Sequence, residues 1–173
     1  MSTPISEIRS YLAARYESRF TLHPRLLEET VASVFGNLGY ISVATAYSGD
    51  DGIDVILRKA DETIGVQVKR YKDNIEVEQI RSLAGALVLN GFTLGMFVTT
   101  SAFQRGAPAT AAKLETRGYR IELFDAQRFY DALQIAQREM FRSFRDFPIQ
   151  DCFDKLQIVR NDYWRHSSNI FDR

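Results

Sequence analysis

Gly49-Asp50-Asp51-Gly52-Ile53-Asp54-Val55-Ile56 and Ile64-Gly65-Val66-Gln67-Val68-Lys69-Arg70-Tyr71-Lys72 are the two segments whose reading decides the fold. Each sets polar residues among residues that otherwise suit a buried strand. Asp54 opens the apolar run Val55-Ile56-Leu57. Gln67 and Lys69 interrupt a strand whose other positions, Ile64, Val66 and Val68, are apolar. Side chains alternate faces along a strand, so Gln67 and Lys69 share one face and Ile64, Val66 and Val68 the other. Ala60-Asp61-Glu62-Thr63 between the segments is short and polar and reads as the turn of a hairpin. Antiparallel pairing across that turn sets Asp54 beside Gln67 and Lys69. A carboxylate, an amide and an ammonium then converge on one patch of sheet, a combination that suits a divalent metal and a phosphate. Taken alone, the same hairpin also reads as an Asp54–Lys69 cross-strand ion pair with Gln67 satisfying a backbone group.

Around this centre the chain has an ordinary globular make-up. Its 173 residues suit one domain with a full core. Hydrophobic residues are 45% and charged residues 25%, so no compositional bias towards disorder or repeats enters the reading. Cys152 is the single cysteine, which excludes an intramolecular disulfide and suits a reducing cytoplasm. With two histidines there is no His/Cys set for structural zinc. Residues 1–20 carry Glu7, Arg9, Arg15, Glu17 and Arg19 without an apolar run, which does not read as a signal peptide. No stretch reaches the roughly 18 apolar residues of a spanning helix, so no membrane partner is expected. The formal net charge of zero argues against coating nucleic acid by bulk charge. A locally basic face remains open to the chain, because Lys69, Arg70 and Lys72 cluster, and Arg81 from the next helix can join them.

Periodicity predicts helices over 6–19, 24–37, 76–89, 103–117 and 125–142, and strands over 40–46, 53–58, 64–70, 94–99 and 120–124. Pro24 marks a helix start with His23 before it, and Gly39 a helix end. Val77, Ile80, Leu83, Ala84, Leu87 and Val88 form one stripe. Residues 94–99 are nearly all apolar, as in a strand buried on both faces. Ser101 reads as a possible cap of the following helix, which carries Ala109 and Ala112, and Asp125 as the cap of the last. The order αβββαβαβα predicts an α/β fold, a mixed central sheet with helices on both faces.

The motifs carry a resemblance. The chain resembles the PD-(D/E)xK nuclease superfamily, and within it the Mrr-type restriction endonuclease domain in its Gln-x-Lys variant. Leu27-Glu28-Glu29 through Gly39-Tyr40 is similar to the family's first helix with its acidic residue. Asp50 and Gly52-Ile53-Asp54 are similar to its Gly-Asp-Gly-Gly-x-Asp loop, with Asp51 where the family usually has glycine. Gln67-Val68-Lys69-Arg70-Tyr71-Lys72 is similar to its Gln-x-Lys-Arg-Tyr-Lys strand, and Val98-Thr99-Thr100-Ser101 with Phe103 to a later strand and helix start. The resemblance covers residues 26–124 and implies a restriction-endonuclease-like core of order αβββαβ. It divides the chain into an N-terminal helical extension (1–23), the nuclease domain (24–142) and an aromatic-rich C-terminal extension (143–173) that packs on the core or a partner.

The resemblance implies a metal-dependent DNA endonuclease, in prokaryotic defence against foreign DNA. Mg2+ is the implied cofactor, with Mn2+ as a substitute. Asp54, Gln67, Lys69 and Glu28 are the implied catalytic set. Asp54, Glu28 and the Val68 carbonyl are the metal ligands, and Asp50 is a supporting group. Glu28 replaces the charge that Gln67 lacks, with Glu29 the competing choice; helical phase favours Glu28. Lys69 is expected to position and stabilise rather than to act as general base, because carboxylates nearby hold a lysine charged. Arg70, Lys72 and Tyr71 are the candidate DNA contacts. DNA is the expected partner, met as a homodimer or in assembly with a defence-system protein. Two other readings stand beside this one: a nuclease-fold binding or assembly module with a weak site, and a nuclease like Holliday-junction resolvases. Residues 160–166 also fit the loose Arg-polar-x-x-x-x-His pattern of HEPN ribonucleases. Some thirty residues cannot supply that family's helical bundle, and the segment reads as a helix or tail covering an edge.

Overall fold

The computed structural model describes residues 4–45 and 52–139. The expectations for Asp50, Asp51 and residues 143–173 lie outside that range. The described elements are α1 (Ile5–Ala14), a 3-10 turn (Tyr16–Phe20), α2 (Pro24–Asn37), β1 (Ile41–Ala44), β2 (Val55–Lys59), β3 (Glu62–Lys69), α3 (Val77–Leu89), β4 (Leu94–Thr99), α4 (Gly106–Glu115), β5 (Arg120–Phe124) and α5 (Ala126–Glu139). The strands form one sheet in the order β1-β2-β3-β4-β5. β1, β2 and β3 run antiparallel, and β3, β4 and β5 run parallel. This is the expected mixed α/β sheet flanked by helices.

Alternation along β2 and β3 sorts the apolar side chains into two cores. Val55, Leu57, Val66 and Val68 pack with α1, α2 and α5 through Leu12, Val31, Phe35 and Phe129. Ile53, Phe97 and Ile121 pack with α3 and α4 through Ile80, Leu83, Leu87 and Ala107. β4, buried along nearly its whole length, contributes to both. The β2–β3 loop is tighter than the sequence suggests. Lys59 pairs with Glu62, which leaves only Ala60 and Asp61 in the turn, with Ala60 at φ 46°.

Several boundaries move for physical reasons. The first helix ends at Ala14 rather than near residue 19, and the chain tightens into the 3-10 turn. There Tyr16 packs on Tyr130 at 4.6 Å, and the Arg19 guanidinium lies over the Tyr16 and Phe20 rings. Tyr11, on α1, is exposed. Val88 also falls outside the buried stripe of α3. Ser101 does not cap α4. Its hydroxyl donates to the Asp73 carbonyl at 2.6 Å, while Ile75 and Phe103 form an isolated bridge, and α4 starts only at Gly106. The buried alanines of α4 are accordingly Ala107 and Ala111, not Ala109 and Ala112. The expected Asp125 cap holds, its Oδ1 accepting from Arg128 N–H at 2.8 Å, and at α2 the structure adds a cap from His23, whose Nδ1 accepts from Arg25 N–H at 3.2 Å. Among the described residues no helix is long and apolar enough to cross a membrane.

Gly65 and Gly95 stand side by side on β3 and β4 and let α3 approach the sheet. A Cβ on Gly65 would meet Ile53 and Leu87 at 2.9 Å and Phe92 at 3.0 Å. Leu87 and Ile53 are fully buried and have no room to retreat. Gly65→Ala should therefore destabilise the fold by about 1–3 kcal/mol, the usual range for overpacking. Chemical denaturation measures it, and a variant as stable as the parent would contradict this packing.

Candidate active site

At the mouth of the β2–β3 hairpin the ladder departs from regular pairing. Val55 is the register partner of Val66, yet Asp54 N–H also donates to the Val66 carbonyl at 2.8 Å. Two residues of one strand thus stand against one of the other, a bulge. The Asp54 carbonyl turns the opposite way, accepting from Thr45 N–H at 3.0 Å and from the Thr45 hydroxyl at 3.0 Å. With its backbone split between β1 and β3, Asp54 sends its carboxylate across the end of the hairpin. Its Oδ2 accepts from Val68 N–H at 2.6 Å. A carboxylate hydrogen bond of this kind is worth about 1.5–3 kcal/mol.

Gln67 and Lys69 flank that bond along β3. Gln67 is buried and donates through Nε2 to the Gly52 carbonyl at 3.1 Å, which leaves its oxygen end turned from Gly52. Gly52 sits at φ 87°, a conformation that favours glycine, although a Cβ there would find ordinary contact distances of 3.4 Å to Ala86 and 3.5 Å to Gln67 Nε2. Lys69 closes the strand half-buried, and its carbonyl accepts from Thr100 N–H at 3.2 Å. In a strand the N–H and C=O of one residue point to the same side. The Val68 carbonyl therefore points, like its N–H, towards Asp54. Asp54, Gln67, Val68 and Lys69 are thus brought together.

Glu28 is joined to this group only indirectly. Arg25, one turn earlier on α2, pairs with Glu28 at 3.1 Å and with Glu29 at 3.2 Å. It also donates to the Thr45 carbonyl at 2.6 Å. Thr45 in turn holds the Ile53 and Asp54 carbonyls through its hydroxyl. A continuous path runs Glu28–Arg25–Thr45–Asp54. The reading of the sequence passed over Arg25 and Thr45. Arg25 carries a local signal, since it lies three and four residues before two glutamates on a helix. Thr45 carries none.

The remaining expected residues lie along the exit from β3. Arg70 is exposed and donates to the Phe20 carbonyl of the 3-10 turn. Tyr71 and Lys72 are exposed, and the Tyr71 carbonyl accepts from the Thr100 hydroxyl at 2.8 Å. Arg81 pairs with Glu78 instead of joining the basic cluster. Among the described residues no three of His, Cys, Asp and Glu group closely enough to hold a metal. The groups that neighbour one another here are the Asp54 carboxylate, the Val68 backbone and the Gln67 amide. Carboxylate and carbonyl oxygens are hard ligands of the kind that a divalent metal takes.

The restriction endonuclease family model for the Mrr catalytic domain matches residues 20–133, well over half of the chain. This protein belongs to the Mrr-type restriction endonuclease family. Solved structures similar to this Mrr-type chain include the DNA modification-dependent restriction endonuclease AspBHI, with 17% identity, a TM-score of 0.53, and coverage of 92% of this chain and 41% of that one. The restriction endonuclease FokI is similar at 14% identity and a TM-score of 0.52, over 84% of this chain and 34% of that one. A protein of unknown function, AF1548, is similar at 15% identity and a TM-score of 0.51, over 60% of this chain and 58% of that one. At such identities the likeness establishes the fold, and this chain spans only part of each neighbour. No curated protein matches the sequence.

The Asp54–Val68 bond has a direct readout. Asp54→Ala removes the acceptor of the Val68 amide, whose hydrogen exchange should quicken by about ten- to a hundredfold. The Phe97 amide, in the middle of β4, should change little. Unaltered exchange at Val68 would show that the carboxylate does not hold the hairpin end.

Proposed function

We propose that this Mrr-type domain is a metal-dependent DNA endonuclease that hydrolyses phosphodiester bonds at the end of the β2–β3 hairpin. The observation that carries the reading is the Asp54 carboxylate seated on the Val68 amide between Gln67 and Lys69, in a chain of this family. Asp54 and the Val68 carbonyl would hold the metal, with Glu28 released from Arg25 as a further ligand. Mg2+, or Mn2+ in its place, would offset phosphate charge and lower the pKa of a bound water. Lys69 directs the attacking water and stabilises the charge that builds on the phosphate. Gln67, fixed through Gly52, would offer its amide oxygen beside the same metal. Lys69 and Lys72 draw the DNA backbone over the hairpin end. One such site cuts one strand, so we infer a homodimer, or a defence-system partner, for double-strand cleavage of foreign DNA in the cytoplasm.

A binding or assembly role with a weak site is the second reading. It is favoured by the Arg25–Glu28 pair, which leaves Asp54 as the one described carboxylate at the hairpin end.

Plasmid nicking with and without Mg2+ separates the two. Asp54→Asn keeps an oxygen for the Val68 amide but loses the charge, so the variant should fold and lose at least about a hundredfold in rate. Lys69→Ala should do the same. Glu28→Gln should lose far more than Glu29→Gln. Full cleavage by folded Asp54→Asn or Lys69→Ala would overturn the site, and equal losses at Glu28 and Glu29 would remove Glu28 from it. No Mg2+-dependent nicking by the parent chain would favour the second reading.

A further inference from the structure

One guanidinium stands between α2 and the end of β1, and it has three acceptors. Arg25 Nη1 donates to Glu28 at 3.1 Å and to the Thr45 carbonyl at 2.6 Å, and Nε donates to Glu29 at 3.2 Å. The two glutamates follow Arg25 by three and four residues, so both carboxylates lie over the same turn of the helix. They are not equivalent. The Glu28 side chain is 16% exposed and that of Glu29 36%, which makes Glu28 the inner of the two. The nitrogen that holds Glu28 also holds Thr45, and the Thr45 hydroxyl donates to the Asp54 carbonyl at 3.0 Å. Glu28 is thus kept close to the strand that carries Asp54, on a cation that is not a metal.

Arg25 and a divalent metal compete for that carboxylate. Were Glu28 the only counter-charge, its departure would leave a guanidinium that is 27% exposed without a partner. Breaking one side of a shielded ion pair costs more than the intact pair contributes, because the remaining charge is left uncompensated. Glu29 removes this obstacle. It neutralises Arg25 through Nε, and the Thr45 carbonyl keeps its bond to Nη1, so Glu28 can leave with two of the three bonds intact.

From this arrangement we infer that Arg25 is a positioning residue that sets the metal affinity of the site: it withholds Glu28, and Glu29 is the alternative acceptor that lets Glu28 go. The inference rests on the reading of Asp54 and Glu28 as metal ligands, and it gives two neighbours on one helix opposite effects. Without the guanidinium Glu28 is free and metal binds more tightly. Without the Glu29 charge Glu28 is the sole counter-ion of Arg25 and metal binds more weakly. Both effects pass through Glu28.

The test is Mn2+ binding to the full chain in the absence of DNA, read from the electron paramagnetic resonance of the free ion, with Mg2+ as competitor. Arg25→Gln, whose amide can still donate to the Thr45 carbonyl, should tighten binding at least about threefold, and Glu29→Gln should weaken it by about as much, the scale of a partly exposed ion pair. In a Glu28→Gln background, itself weaker than the parent, neither change should appear. The Arg25→Gln gain should also vanish with Asp54→Asn, since a metal held by Glu28 and Glu29 alone would survive that change. Protection of the Val68 amide checks that Arg25→Gln leaves the hairpin end in place; where it does not, Glu29→Gln, which keeps the Arg25–Thr45 bond, decides. Changes of the same sign, no change, or changes that persist in either background would overturn the inference and leave Glu28 at the metal. Parent-like affinity in Glu28→Gln, or no binding by the parent, would overturn both the inference and the reading of the site on which it rests.

Discussion

Val68 N–H lies beyond the first register pair of β2, where an antiparallel ladder would leave it without a backbone acceptor. The Asp54 carboxylate takes that place at 2.6 Å. The bulge makes this possible by turning the Asp54 backbone between β1 and β3. Much of the site follows from this one bond. It aligns the Val68 carbonyl with the carboxylate, and it sets Gln67 and Lys69 on either side. It also fixes the end of β3, from which Arg70, Tyr71 and Lys72 leave the sheet. A bulge beside a site is a common way to re-aim one side chain without disturbing the strand behind it. Here Val55 and Leu57 stay fully buried in register immediately after it.

The surroundings reinforce this geometry from two sides. On one, Gly65 and Gly95 let α3 settle close to the sheet, and the Gly52 carbonyl under α3 anchors Gln67. On the other, Arg25 ties the start of α2 to the end of β1, and Thr45 passes that tie to Asp54. The same arginine neutralises two glutamates. Any part that Glu28 plays at a metal therefore competes with a charged hydrogen bond already formed.

The parts legible in the sequence are those set by alternation and punctuation. The β2–β3 hairpin, the buried β4, α2 with His23 before it and Gly39 after it, and the Asp125 cap all follow from local rules that the tertiary structure leaves alone. The misplaced parts are those where distant contacts override a local preference. No breaker stands between Ala14 and Tyr16, so the end of α1 is invisible until Tyr130 and the stacked Arg19 are in place. Ser101 has the look of a cap, yet the Asp73 carbonyl across the loop takes its hydroxyl. At the site, the pairing of Asp54 with the Gln67–Lys69 strand was legible, but the means was not. A bulge needs no special residue here, and Thr45 acts through backbone carbonyls that no motif records.

Charge sets the last constraint on how such a domain meets DNA. Equal numbers of acidic and basic residues leave no net field to steer a polyanion. The basic strip at the end of β3 is also shorter than its sequence suggests, because Arg70 is docked on the 3-10 turn and Arg81 on Glu78. Lys69 and Lys72 remain, and two phosphate contacts give weak binding with a shallow salt dependence. On the proposed reading, a domain with so short a basic strip depends on something besides backbone charge to stay on DNA: a second copy, or a partner that delivers the duplex. Either adds affinity without a general attraction to nucleic acid.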